Sequence, residues 1–466
     1  MIDAVTEHGP AHGPAAPERQ LAYEAAELES HAMPTEQREL PAGFAGAGRL
    51  SAAMLASGAL AYGFHVLAAR SLGVEAYGQV SVLWAAMFII VVVLFRPLEQ
   101  TASRGIADRL TRGLETRTLM QSVGVIYLGI VAMIVLAALL GWNTVGEQLF
   151  LGDDMFVAAL VVGICGYGIA YVVRGVCSGA RWFNGAALGI MADASVRLAV
   201  ALPLLVVVSS AWAAGAIAAA AFAGAVVPLW YGRHRLRTLA ERGVGTRFRF
   251  GTAAVFAGPA AVVAGADQLL VNGGPLLVMI GGGAEASTAA GVVFAATMLV
   301  RIPVYVFQGT AASLLPNLTT LHARDEGRLF RRTVWRAAGF LACAATLIVA
   351  FAASVGPSAM RLLFGSEFQA GRTELTLLGL GVGFYLAAAT ISQALFALDR
   401  GGRAAVAWGS SAIVFVWLYV LLDGTELARI AESFCVATGV CAVLVGLGLA
   451  LGSARADADL RRPTSG

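Results

Sequence analysis

Several charged side chains lie in sequence that is otherwise almost wholly apolar, and these are the residues able to do chemistry. Arg301 follows Met298-Leu299-Val300 and precedes Ile302-Pro303. A charge within hydrocarbon is costly unless it faces a cavity, pairs or snorkels to the interface. Arg301 is therefore either a cation lining a cavity or one half of a structural ion pair. Asp193 and Arg197 are four residues apart, which puts them on one helix face and lets them pair. Such a pair either only holds the fold or also lends its positive end to an anionic ligand. Arg96 and Glu99 flank Pro97, and Gln100 and Arg104 continue the Arg96 face at four-residue steps. They form either a polar stripe or an interfacial anchor. Asp267, with Gln268 beside it and Asn272 five residues on, either exchanges a proton or holds Na⁺ with those amides, or caps a broken helix, or sits near the periplasmic edge.

No catalytic or metal-binding pattern accompanies these charges. The chain contains no GxxxxGK[ST] phosphate loop, no HExxH and no CxxC. Its five cysteines lie in or beside apolar runs and read as small buried residues. The expectation is no catalytic residue, no metal and no cofactor beyond Na⁺ or H⁺ as a coupling ion.

The elements that must position these charges are membrane spans. Of 466 residues, 58% are hydrophobic and only 13% are charged, and mean hydropathy is +0.75. That balance excludes a soluble enzyme, a disordered regulator and a nucleic-acid-binding domain. Runs of about 20 apolar residues, enough for roughly 30 Å of hydrocarbon, recur along the chain. They predict twelve helices, at 50–69, 77–95, 118–140, 154–173, 186–208 and 211–231, then 251–273, 288–308, 334–356, 374–397, 402–421 and 427–451. The fold class is an all-α polytopic membrane protein, with about twelve transmembrane helices in two six-helix lobes around a central cavity. The expected layout is a disordered cytoplasmic tail over 1–48, one lobe over 49–231, a cytoplasmic linker over 232–250, a second lobe over 251–452 and a cytoplasmic tail over 453–466.

All 32 basic residues are arginine, and with the N-terminus inside most fall in cytoplasmic segments. The positive-inside rule then places both termini in the cytoplasm. Six spans per half make the halves enter from the same side, so they relate by an axis along the membrane normal. Arg96-Pro97 with Gln100-Thr101-Ala102-Ser103, and Arg301-Ile302-Pro303 with Gln308-Gly309-Thr310-Ala311-Ala312-Ser313, are faint counterparts in the two halves.

Ala69-Arg70-Ser71-Leu72-Gly73-Val74-Glu75-Ala76-Tyr77-Gly78 resembles the R-x-L-G-x-x-x-Y-G opening of bacterial polysaccharide-biosynthesis flippases. Leu363-Phe364-Gly365-Ser366-Glu367-Phe368 is similar to their L-F-G-x-x-F element, and Asp399-Arg400-Gly401-Gly402-Arg403 to their short polar turn between spans ten and eleven. These O-antigen-type flippases belong with multidrug exporters in the multidrug/oligosaccharidyl-lipid/polysaccharide exporter superfamily. The resemblance covers about 50–450. It implies two lobes in a V and the movement of an undecaprenyl-diphosphate-linked oligosaccharide across the cytoplasmic membrane for surface polysaccharide, such as lipopolysaccharide or exopolysaccharide. It implies that Arg301, Arg197, Arg96 and Arg70 meet the diphosphate in a shared chamber, Arg70 alternatively serving the fold at its turn. Asp267, Asp193, Glu99 and Asn272 remain ion-coupling or structural candidates. The implied partners are the lipid-linked oligosaccharide, membrane lipids, a polysaccharide polymerase and glycosyltransferases, with no nucleic acid. Two other readings are a multidrug or cation antiporter on the same fold and a non-catalytic scaffold of envelope synthesis.

Overall fold

The computed structural model describes residues 42–241, 251–281, 285–301, 318 and 327–460. The chain divides into two units, Met1–Ala45 and Gly46–Gly466. Of the first, only the start of a helix from Ala42 is described, so the tail expected over 1–48 lies mostly outside the described residues.

The second unit is helical throughout, with no strand among the described residues. Its helices are α1 (Ala42–Thr111), α2 (Arg117–Phe150), α3 (Asp154–Gly179), α4 (Phe183–Ala201), α5 (Ser210–Tyr231), α6 (Arg233–Glu241), α7 (Gly251–Gly281), α8 (Ala286–Val300), α9 (Gly327–Ser354), α10 (Gly356–Phe364), α11 (Arg372–Ala397), α12 (Gly401–Leu421) and α13 (Glu426–Leu460). Ten of the helices are long and apolar enough to cross a membrane, and α8 is a shorter apolar one. α1 is two spans run together, broken only at Gly73, which sits at φ 77°, ψ 174°. That backbone conformation is open essentially to glycine alone. The protein is thus a multi-pass membrane protein, and the expected spans map onto its helices in order, with 302–308 of the eighth outside the described residues. Of the expected linker, 233–241 forms α6 and 242–250 lies outside the described residues.

Two bundles result. In the first, α3 packs on α4 and α5, α5 on α4, and α2 on α3; in the second, α11 packs on α9 and α13, α12 on α7 and α13, and α7 on α8. The third span of each bundle, α2 and α9, is the least buried, so the two halves share one plan. Chain direction places Gly73 and the α2–α3 turn at one end of the bundles and α6 at the other.

The halves meet at the Gly73 end. A Cβ at Gly78 would lie 1.8 Å from the Ser287 carbonyl oxygen, and one at Gly291 would lie 2.4 Å from that of Val74, so the two backbones approach where only glycine fits. Ser287 Oγ donates to the Glu75 carbonyl at 2.7 Å. Glu367 accepts from the Val74 amide at 3.1 Å. Arg70 donates to the carbonyls of Leu362 and Leu363, which close the C-terminal turn of α10. A cation at a helix C-terminus is favourably placed.

Candidate functional site

In the first half, helix spacing alone builds an ion pair. Arg197 Nη2 reaches Asp193 Oδ2 one turn back on α4 at 2.5 Å. Tyr167 on α3 completes the set: its hydroxyl donates to Asp193 Oδ1 at 2.8 Å and accepts from Arg197 Nη2 at 2.9 Å. The guanidinium lies over the Trp84 ring, 4.7 Å from its centre, and is only 2% exposed. A second pair crosses from α3 to α1, where Arg174 donates to both oxygens of Glu99 at 2.6 and 2.7 Å. Arg174 also lies 4.1 Å from the Tyr171 ring centre. Between the two pairs is a cavity of about 260 Å³, walled by Trp84, Phe88, Tyr167, Tyr171 and both arginines. It offers aromatic faces and charge pairs that cancel.

In the second half, a hydrogen-bonded chain replaces the ion pair. Asp267 Oδ1 accepts from the Tyr385 hydroxyl at 2.5 Å, and Oδ2 from Gln268 Nε2 at 3.0 Å. Gln268 Oε1 accepts from Asn272 at 2.8 Å, and Asn272 Oδ1 accepts from Arg301 Nη1 at 3.2 Å. Arg301 Nη1 also donates to the Val271 carbonyl at 3.0 Å. Pro275 explains that bond: four residues after Val271, it has no N–H to offer that carbonyl. Proline frees the acceptor and Arg301 takes it. The cavity beside Arg301, Thr297 and Tyr385 measures about 10 Å³, no more than one water needs.

Two further residues lie where the halves face each other. Arg96 is exposed, one turn beyond Val93, against which a Cβ at Gly265 of α7 would lie at 3.3 Å. Arg96 acts electrostatically on Asp267 and Tyr385 across the boundary. His65 is fully buried between Trp84 and Phe294, with ring centres at 4.5 and 4.8 Å.

Among the described residues, the four arginines expected to share a chamber, Arg301, Arg197, Arg96 and Arg70, do not line one cavity. Arg197 faces the first-half cavity, Arg301 the small second-half one, and Arg96 the boundary between halves. Arg70 is at the Gly73 end, held by α10. Helix ends and carbonyls freed by proline bind guanidinium groups as readily as a ligand does, and sequence does not separate these uses. Asp193 and Arg197 pair as their spacing predicts. Asn272 joins Asp267 through Gln268, and Glu99 pairs with Arg174. Sequence reasoning placed Arg174 in a loop and passed over His65, Tyr167 and Tyr385. A histidine inside a 20-residue apolar run was the one available signal.

No family model matches the chain. It is 28% identical over 414 residues to an uncharacterized protein of Mycobacterium bovis (strain ATCC BAA-935 / AF2122/97), covering 86% of this chain and 90% of that one. It is also 28% identical over 379 residues to one of Mycobacterium tuberculosis (strain ATCC 25618 / H37Rv), covering 77% and 79%. Its fold is similar to that of solved transporters. An inward-facing multidrug resistance MATE family transporter of the MOP superfamily superposes with a TM-score of 0.68 at 15% identity, over 87% of this chain and 96% of that one. A eukaryotic MATE transporter gives 0.63 at 16%, over 88% and 96%. The fold class these observations define is that of MATE transporters, with its two lobes.

Proposed function

We propose that the protein is an alternating-access exporter of the cytoplasmic membrane, carrying a lipid-linked oligosaccharide of undecaprenyl-diphosphate type to the outer leaflet for surface polysaccharide assembly. One observation carries this reading: at the boundary between the halves, Arg96 and Arg301 stand near one carboxylate, Asp267, and neither forms an ion pair with a described residue. Such an excess of guanidinium suits a diphosphate, whose oxygens accept bidentate contacts. The glycan would occupy polar volume between the lobes while the polyprenyl tail stays in lipid. With the Gly73 end outside, as the arginine bias of the loops leads us to expect, the described conformation would have its outer side closed.

A second reading, a multidrug or cation antiporter, is favoured by the half-buried carboxylates Asp193 and Asp267, each bound by a tyrosine, and by the fold likeness. Reconstitution with a fluorescent lipid-linked oligosaccharide and a leaflet-accessibility assay separates the two. The first reading expects flipping that Arg96→Ala and Arg301→Ala abolish with membrane insertion intact. Absence of flipping, with ethidium efflux that depends on Asp267, would replace it by the second.

A further inference from the structure

We propose that His65 is a proton-binding site coupled to separation of the two halves, an inference that rests on the alternating-access reading above and names H⁺ as an ion the cycle uses. His65 lies on the first span of α1, against the second half rather than at the cavity. Its Nδ1 is 3.2 Å from the Tyr77 hydroxyl, and its Nε2 is buried with no hydrogen-bond partner among the described residues. Either tautomer leaves Nε2 unsatisfied. An orphaned buried polar atom costs about 1–3 kcal/mol and calls for an explanation.

The surroundings supply one. Around the ring are Phe64, Trp84 and Tyr77 from α1 and Phe294 from α8. The charged groups acting on it are Arg197 from α4, whose guanidinium lies over the same Trp84 ring, and Arg301, just past the end of α8. Tyr77 is the titratable neighbour on its own element, and no carboxylate acts on it among the described residues. A proton added here would leave Nε2–H without an acceptor and place a third cation beside two guanidinium groups.

Parting the halves changes each of those conditions. Phe294 and Arg301 belong to the second half, and the α1–α8 contact that covers His65 is the contact at the Gly73 end. Once that contact opens, water reaches Nε2, and a hydrated imidazole takes up a proton at about pH 6.5. A ligand that binds one conformation better shifts the population toward it, so acid favours the parted form.

Double electron–electron resonance on the full chain in nanodiscs tests this. Spin labels go at Met155→Cys and Asp423→Cys, two exposed positions at the Gly73 end on opposite halves, with the exposed Cys343 replaced by alanine. Between pH 7.5 and 5.5 the ratio of parted to closed molecules is expected to rise, by at most about tenfold per pH unit for one proton. In His65→Gln and His65→Phe the rise is expected to vanish. Where neither variant folds, Tyr77→Phe keeps the imidazole, removes its Nδ1 partner and should displace the midpoint of the response. A flat wild-type response, a rise retained in the His65 variants, or an unmoved midpoint in Tyr77→Phe would overturn the site. Two populations whose ratio ignores pH or His65 defeat the proton site alone. One unchanging distance, with and without the lipid-linked oligosaccharide, defeats alternating access as well.

Discussion

Among the described residues, the first half sets paired charges around its cavity, and the second sets Arg301, without a direct ion pair, beside a much smaller one. Around the cavity of about 260 Å³, Asp193 matches Arg197 and Glu99 matches Arg174. Around the space of about 10 Å³, Arg301 reaches its carboxylate only through Asn272 and Gln268. The two halves therefore hold a cation within an apolar bundle differently, by direct pairing in one and by amides and a freed carbonyl in the other. A direct pair neutralises its arginine, whereas a relay of neutral amides leaves the charge able to act on what enters the boundary.

Thermal unfolding puts that contrast at risk most sharply. Arg197→Leu leaves the half-buried Asp193 with only its Tyr167 hydrogen bond and should cost about 3 kcal/mol, most of it recovered in the double variant with Asp193→Leu. Arg301→Leu breaks hydrogen bonds but no direct pair and should cost about 2 kcal/mol. Equal losses would erase the distinction. The next largest effect tests how the halves meet. Gly78→Ala drives a Cβ against the Ser287 carbonyl and should penalise the joined conformation by about 3 kcal/mol, parting the halves in the spin-label measurement. Gly48→Ala, with open space around it, should leave the distances unchanged. Asp267→Asn keeps the side-chain shape but turns one of two accepting oxygens into a donor, and should cost about 1 kcal/mol. A loss as large as that of Arg197→Leu would mean that Asp267 and Arg301 behave as an ion pair after all. The smallest effect belongs to Arg70→Ala, whose partners are carbonyls at an exposed helix end. It should cost less than about 1 kcal/mol, read as a slight rise in the parted population.

The spans were legible because a bilayer imposes a length on every helix that crosses it. The run at 374–397 became Arg372–Ala397, and that at 402–421 became Gly401–Leu421. Where helices leave lipid, that constraint ends. Apolar runs gave 50–69 and 77–95, yet helix continues through the polar residues to Thr111. Nine-residue α10 lay hidden in what reads as a loop. The same boundary divides the site. Asp193 and Arg197 share one helix, so their pairing is a local matter of spacing. Glu99 and Arg174 are 75 residues apart, and Tyr385 and Asp267 are 118 apart, so each meeting depends on how helices pack.

Gly73 turns the chain back on itself with no connecting loop. The first two spans therefore enter the membrane as one hairpin, and a substitution that misorients one drags the other with it. That bend within α1 also offers no slack for an epitope tag or a protease site. Reporters of sidedness belong elsewhere, and the α2–α3 turn at Leu151–Gly152, solvent-exposed and already left-handed, is a natural place to insert them.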